Sequence, residues 1–153
     1  MAELKERLRT DLSAAMRARD QVRMRTLRSA LTAVTNEEVA GKAARELSDD
    51  EVLKVLTREA KKRREAAEAF GSAGREDQAA AERAEGEVLA GYLPAQLSDE
   101  DLAQLVAGVI AQTGATGMSS MGLVMKAVNP QVAGRAEGAR VAAEVRKQLT
   151  AAS

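Results

Sequence analysis

Apolar positions recur along this chain with the spacing of helices, and no segment alternates with the period of a strand. Leu4, Leu8 and Leu12 repeat every four residues and continue to Met16, which predicts a first amphipathic helix. Arg19-Asp20 is a break, with Asp20 placed to cap a second helix whose stripe is Met24, Leu27, Leu31 and Val34 and which fades by Gly41. Ser48-Asp-Asp-Glu51 reads as a capping box opening a third helix, with Leu53, Leu56, Ala60, Ala67 and Phe70 on its apolar side. Gly71-Ser-Ala-Gly74 ends it. A fourth helix is expected from about Arg75 to Gly91, using Ala81, Ala84 and Val88, with Gly86 weakening it slightly.

Pro94 then interrupts the pattern, because the residue before a proline is pushed out of helical geometry. Charge density falls here while Gly and Met become more frequent, so a domain boundary is expected near Leu93–Ser98. Ser98-Asp-Glu-Asp101 is a second cap with acids in the first turn, where the helix dipole favours them. Leu102, Leu105, Val106, Val109 and Ile110 form the stripe that follows, and Gly114-Ala-Thr-Gly117 is a turn. Ser119 or Ser120 is expected to cap a short helix carrying Met121, Val124, Met125 and Val128, which Asn129-Pro130 should stop. A last helix from about Glu137 carries Val141, Val145 and Leu149. The expected fold is all-α: an N-terminal helical bundle or hairpin domain over 1–93, then a small helical tail domain over 94–153.

Composition supports this and removes much chemistry. In 153 residues the aromatic rings are Phe70 and Tyr92, so the core must be aliphatic and alanine-rich, which suits close-packed helices. The chain has no His and no Cys, which excludes imidazole acid–base chemistry, thiol nucleophiles, disulfides and ordinary zinc sites. No cofactor and no metal site are expected. The charged start MAELKERLRTDL is no signal peptide, and no apolar run approaches the roughly 20 residues of a membrane span. A cytoplasmic protein without a membrane partner is the expectation.

The 23 basic and 23 acidic residues cancel, so any nucleic-acid contact must come from a local patch. The obvious run, Lys61-Lys-Arg-Arg64, is neutralised by the helical pairs Glu59–Arg63, Lys61–Glu65 and Arg64–Glu68 and reads as a solvated face. Arg63 alone falls inside the apolar arc, where it must snorkel or mark the point at which the stripe leaves the core. Asp49, Asp50, Asp99, Glu100 and Asp101 are explained as helix starts. Ser119 and Ser120 have no His base, and capping accounts for them better than a Ser–Lys pair with Lys126. Gly134-Arg-Ala-Glu-Gly138 lacks the Lys-Ser/Thr of a P-loop and a preceding strand. No catalytic residues are assigned, and the chain is not expected to be an enzyme on its own.

Between Lys126 and Lys147 five cations (Lys126, Arg135, Arg140, Arg146, Lys147) stand against Glu137 and Glu144. Lys126 lies opposite the Met121–Met125–Val128 face. Arg140 and Lys147 share the polar face of the last helix, and Glu144 is placed to pair with Arg140. Arg135 sits in a glycine turn before a helix N-terminus, a setting that suits a phosphate. The residues alone leave a phosphate site and a purely structural role both open.

The early helices, the segment TREAKKRREAAEAF, and above all YLPAQLSDEDL, MGLVMKAV and VAGRAEGARV resemble the GatB/YqeY family. The match covers nearly the whole chain in order and spacing, which implies a stand-alone YqeY-like protein. Its last third is similar to the tail domain of the B subunit of the glutamine-dependent aspartyl/glutamyl-tRNA amidotransferase. The resemblance implies a helical bundle followed by a helical tail, and implies that the tail contacts tRNA while other domains carry amidation. The positions it matches are Gly122, Lys126, Gly134, Arg135, Ala136 and Gly138, with Arg135 standing where a lysine is common in the family. Nothing matches the catalytic core of that subunit, so the label carbon–nitrogen ligase with glutamine as amido donor describes the relative's reaction.

The expected function is therefore a non-catalytic accessory module related to that ligase. It would bind tRNA, or tRNA held by the amidation or translation machinery, through Lys126, Arg135, Arg140, Arg146 and Lys147 at a turn formed with Gly122, Gly134 and Gly138. The alternative is a protein-interaction adaptor that docks through the long N-terminal helices without touching RNA. Scarcity of aromatic platforms favours recognition of shape and backbone over base stacking.

Overall fold

A computed structural model describes residues 2–151, and among them the fold is all-α. The chain divides into two compact units, Met1–Leu93 and Pro94–Ser153. Unit 1 holds α1 (Glu3–Ala18), α2 (Gln21–Glu38), α3 (Asp49–Ser72) and α4 (Glu76–Ala90). Unit 2 holds α5 (Asp99–Thr113), a short 3-10 turn (Met118–Ser120), α6 (Met121–Val132) and α7 (Gly138–Ala151). Among the described residues no helix is long and apolar enough to cross a membrane.

In unit 1 the helix starts are set by short polar side chains. Asp20 accepts from the Arg23 N–H at 3.2 Å, and Ser48 and Glu51 form a reciprocated capping box. Asp49 also reaches back across the unit to the N–H of Leu4 at 3.0 Å, giving the first turn of α1 an acceptor that its own flank lacks. Leu8, Leu27, Ala30, Val34, Leu47, Val52, Val55, Leu56, Leu89 and Tyr92 make the core. Farther along α3 and α4 the buried positions shrink to Ala67 and Ala79, so the two helices approach closely there as an antiparallel hairpin.

Several stripe assignments shift. On α1 the buried positions are Lys5, Leu8 and Ala15, while Met16 is exposed, because a strict four-residue repeat drifts around a 3.6-residue helix. On α3 Val52 and Val55 are buried while Leu53, Ala60 and Phe70 are only partly covered. On α4 the buried positions are Ala79 and Leu89, and Ala81 is exposed. Gly86 faces Arg63 of α3, where an added Cβ would meet that side chain's Cβ at 3.7 Å, so the residue belongs to a close helix crossing.

Charged side chains tie this unit together. Arg63 is the residue that the stripe placed oddly; it points at α4, 3.3 Å from Glu82 and 3.4 Å from Glu85, with Glu59 of its own helix at 3.7 Å. Arg25 of α2 reaches the same Glu85 at 3.4 Å. Lys5 and Glu38 form a buried pair at 2.7 Å, and the second oxygen of Glu38 accepts from the Leu47 N–H at 3.3 Å. One carboxylate thus anchors α1 and the return of the loop into α3. Lys5 is the main cause of a Glu38 pKa held below the ordinary carboxylate value. Tyr92, at the end of the unit, donates its hydroxyl to Asp11, and the Arg7 guanidinium sits 4.6 Å over its ring.

Unit 2 is a three-helix cluster around Leu102, Val106, Val109, Ala115, Val124, Val128, Val132, Val141, Val145 and Leu149. Ser98 caps α5 by accepting from the Asp101 N–H at 3.0 Å, and Gly114 closes it in the left-handed region at φ 67°. Two expectations fail in α6. Neither serine caps it: the Ser120 hydroxyl donates to the Thr116 carbonyl at 3.3 Å, and the preceding 3-10 turn leads directly into the helix. Pro130 does not stop it either. The helix continues to Val132 and ends at Ala133, φ 46°, with Val128 and Val132 buried on either side of the proline.

Candidate functional site

The site is built on the turn between α6 and α7. Ala133 and Gly134 both adopt positive φ, 46° and 79°, which reverses the chain after α6. Glycine suits this at 134 because a Cβ is strained there. Arg135 follows and turns its guanidinium back over the end of α6. Its Nη2 donates to the Gln131 carbonyl at 2.7 Å and its Nε to the Val132 carbonyl at 3.2 Å. This is a cationic C-cap: it satisfies the Gln131 carbonyl and adds a second donor to the Val132 carbonyl, which also accepts from the Arg135 N–H at 3.0 Å, at the negative end of the helix dipole. Two of the five N–H donors are occupied, so part of the guanidinium remains available.

The same turn holds the chain that enters α5. The Leu97 N–H donates to the Arg135 carbonyl at 2.7 Å, and the Gln96 side chain donates to the Gly134 carbonyl at 3.3 Å. Arg140, from the first turns of α7, closes the arrangement by donating to the Leu97 carbonyl at 3.0 Å and to Asp99 at 2.9 Å. Gln96, Leu97 and Asp99 therefore meet Gly134, Arg135 and Arg140 in space, and their polar groups serve each other.

This separates the five candidate cations. Arg140 is a brace, and Glu144, its expected partner, instead accepts from Gln148 at 2.7 Å. Gln148 also donates to the Ala103 carbonyl at 2.9 Å, tying α7 to α5. Arg135 is half cap and half surface. Lys126, Arg146 and Lys147 are exposed and have no carboxylate partner among the described residues. On α6 Lys126 shares the outer face with Gly122, and Leu123 beside them is 55% exposed. On α7 Lys147 points directly away from Val141, Val145 and Leu149, and Arg146 leans to one side. Gly122 and Gly138 have open space where a Cβ would stand, so neither is required by a close approach.

Sequence reasoning missed Gln96 and Leu97 as parts of this site. Their partners lie 38 residues away at Gly134 for Gln96, and nothing local in the chain announces such a bond. Arg140 was assigned to Glu144 for the same reason: an i,i+4 partner is visible in sequence, and Asp99 is not. Among the described residues no group of three or more Asp or Glu is placed to hold a metal ion.

Two helical units, the second closed by a braced glycine turn, place the chain among small all-α proteins with a short tail domain. The family described as Yqey-like protein matches residues 5–149, and the chain belongs to that family. Among curated proteins it is similar to altered inheritance of mitochondria protein 41, mitochondrial, of Clavispora lusitaniae (strain ATCC 42720). The two are 30% identical over 129 residues, which is 82% of this chain and 74% of that protein.

Proposed function

We propose that this Yqey-like protein is a non-catalytic cytoplasmic accessory module that binds tRNA, or tRNA within its amidation or translation machinery, through unit 2. The observation that carries the reading is the trio Lys126, Arg146 and Lys147, exposed cations without carboxylate partners among the described residues, in a chain whose net charge is zero. The free edge of Arg135 adds a fork suited to a phosphate. Arg140 contributes by holding the turn and not by touching RNA. Carbon–nitrogen ligase chemistry belongs, on this reading, to a partner.

The test is tRNA retention by the full chain across a salt series. Lys126→Ala with Lys147→Ala is expected to reduce the slope of log affinity against log salt by about 2. An unchanged slope would remove the trio from the interface. A second reading, a protein-interaction adaptor that docks through the long N-terminal helices, is favoured by Val39 at 58% and Met16 at 49% exposure in unit 1. It predicts that Val39→Ser weakens capture of a protein partner while tRNA is not retained at low salt.

A further inference from the structure

A second group of cations lies in unit 1. Between Met16 and Arg28 five arginines (Arg17, Arg19, Arg23, Arg25 and Arg28) stand against a single acid, Asp20. The acid is occupied as the cap of α2, accepting from the Arg23 N–H at 3.2 Å. Arg25 is held by Glu85 at 3.4 Å. Arg23 is half-buried, and its charge is felt at the Tyr92 hydroxyl. Arg17, Arg19 and Arg28 are exposed and have no carboxylate partner among the described residues. Arg17 lies in the last turn of α1, Arg19 at its end and Arg28 two turns into α2, about 10 Å along that helix from its start.

Backbone geometry adds an independent observation. Arg19 closes α1 at φ 56°, in the left-handed region that glycine fills far more easily. Ala133 shares that conformation, but it carries no long charged side chain. At this position the fold tolerates a guanidinium at a backbone cost that a glycine would remove.

We propose that the α1–α2 turn is a phosphate-binding site for an RNA backbone, with Arg17, Arg19 and Arg28 as its ligands. The side chains are all arginine, whose planar fork matches phosphate oxygens in a bidentate manner. Several such groups, placed on the end of α1, in the turn and on α2, suit a polymer with repeated phosphates better than one small anion. A lipid surface fits less well. Interfacial binding needs large apolar side chains to enter the bilayer, and here Met16 is the one large hydrophobic that is well exposed. The site belongs to unit 1 and stands independently of the tail cations.

The full-length protein is titrated with a fluorescently labelled RNA hairpin over a salt series, beside vesicles of phosphatidylcholine with 30% phosphatidylserine as a probe and poly-glutamate as a competitor. Arg19→Gly is the informative single change. It relieves the left-handed strain, so the thermal midpoint should hold or rise while RNA affinity falls several-fold. A purely structural arginine would give the opposite pairing, a lower midpoint with affinity unchanged, and that result overturns the proposal. Adding Arg17→Gln and Arg28→Gln should make the salt slope shallower by about 3 and lower affinity on the order of a hundredfold. The same losses are expected in the Lys126→Ala/Lys147→Ala background, so failure of the tail reading and failure of this one are separable. Retained RNA affinity in the triple variant, or arginine-dependent binding to vesicles without RNA binding, also overturns it.

Discussion

Unit 1 and unit 2 reach the same helical order by different means. In unit 1 helices are tied through side-chain charge, Lys5 to Glu38, Arg63 to Glu82 and Glu85, and Arg25 to Glu85, while Arg45 ties the loop before α3 to Glu51. In unit 2 the ties run largely through the main chain, from Leu97 to Arg135, Gln96 to Gly134 and Gln148 to Ala103, around a core of Val and Leu. The difference matters for function. Where charges already serve each other, as along α3 and α4, they offer little to a partner. The cations that the fold leaves available for the proposed contacts lie on the outer faces of α6 and α7 and at the α1–α2 turn.

The largest expected effect tests the charged frame of unit 1. Lys5→Ala leaves the Glu38 carboxylate buried without its counter-charge and should cost about 3 kcal/mol by urea unfolding. A loss below 1 kcal/mol would mean that the pair is incidental. Glu38 also sets a pH signature. Its pKa is lowered in the folded chain, so its contribution is present above the unfolded value and is lost as pH falls through the folded one.

Next comes the brace of unit 2, where main-chain and charge contributions can be told apart. Arg140→Ala removes the bond to the Leu97 carbonyl and should cost about 1.5 kcal/mol. Asp99 is almost fully exposed, so Asp99→Asn should cost less than about 0.5 kcal/mol. Equal losses would show that charge, not the main-chain contact, closes the turn.

Caps are a finer comparison. Ser48→Ala and Ser98→Ala should each cost about 1 kcal/mol, the first somewhat more because Glu51 reciprocates its cap. The smallest effect is the acid limb of Glu51. Arg45 above all, then the Ser48 N–H, holds its pKa at about 2 against an ordinary 4.5. Its stabilisation is therefore complete above 4.5 and fades as pH falls towards 2, and Arg45→Gln should flatten that limb in an acid titration.

The helices and their starts were legible in the sequence because caps and apolar periodicity are local. Asp20, Ser48 and Ser98 cap as their spacing indicates. The ends of helices were less legible. Pro130 has the chemistry of a stop, yet the buried faces of Val128 and Val132 carry α6 past it. Nor could Arg63 be placed from its own helix, since its partners Glu82 and Glu85 are on the next one. The candidate site was legible as a set of cations but not as an arrangement. Sequence could not show that Arg135 turns back on α6 or that Arg140 reaches Asp99, so a brace and a binding surface looked alike. The α1–α2 arginines escaped attention because they are spread over two helices and form no run.

Tyr92 has a practical consequence. The chain has one Tyr and no Trp, so its near-ultraviolet absorption and emission report essentially one phenol. That phenol is hydrogen-bonded to Asp11, and burial first, then Asp11, pushes its pKa up to about 12. Loss of the bond on unfolding returns the group to an ordinary phenol that ionises near 10. A spectrum recorded between those two values distinguishes folded unit 1 from unfolded chain without any label, because the unfolded molecule is mostly phenolate there and the folded one mostly phenol. The protein thus contains its own optical gauge of one unit's integrity, with Asp11→Asn as the control that resets its scale.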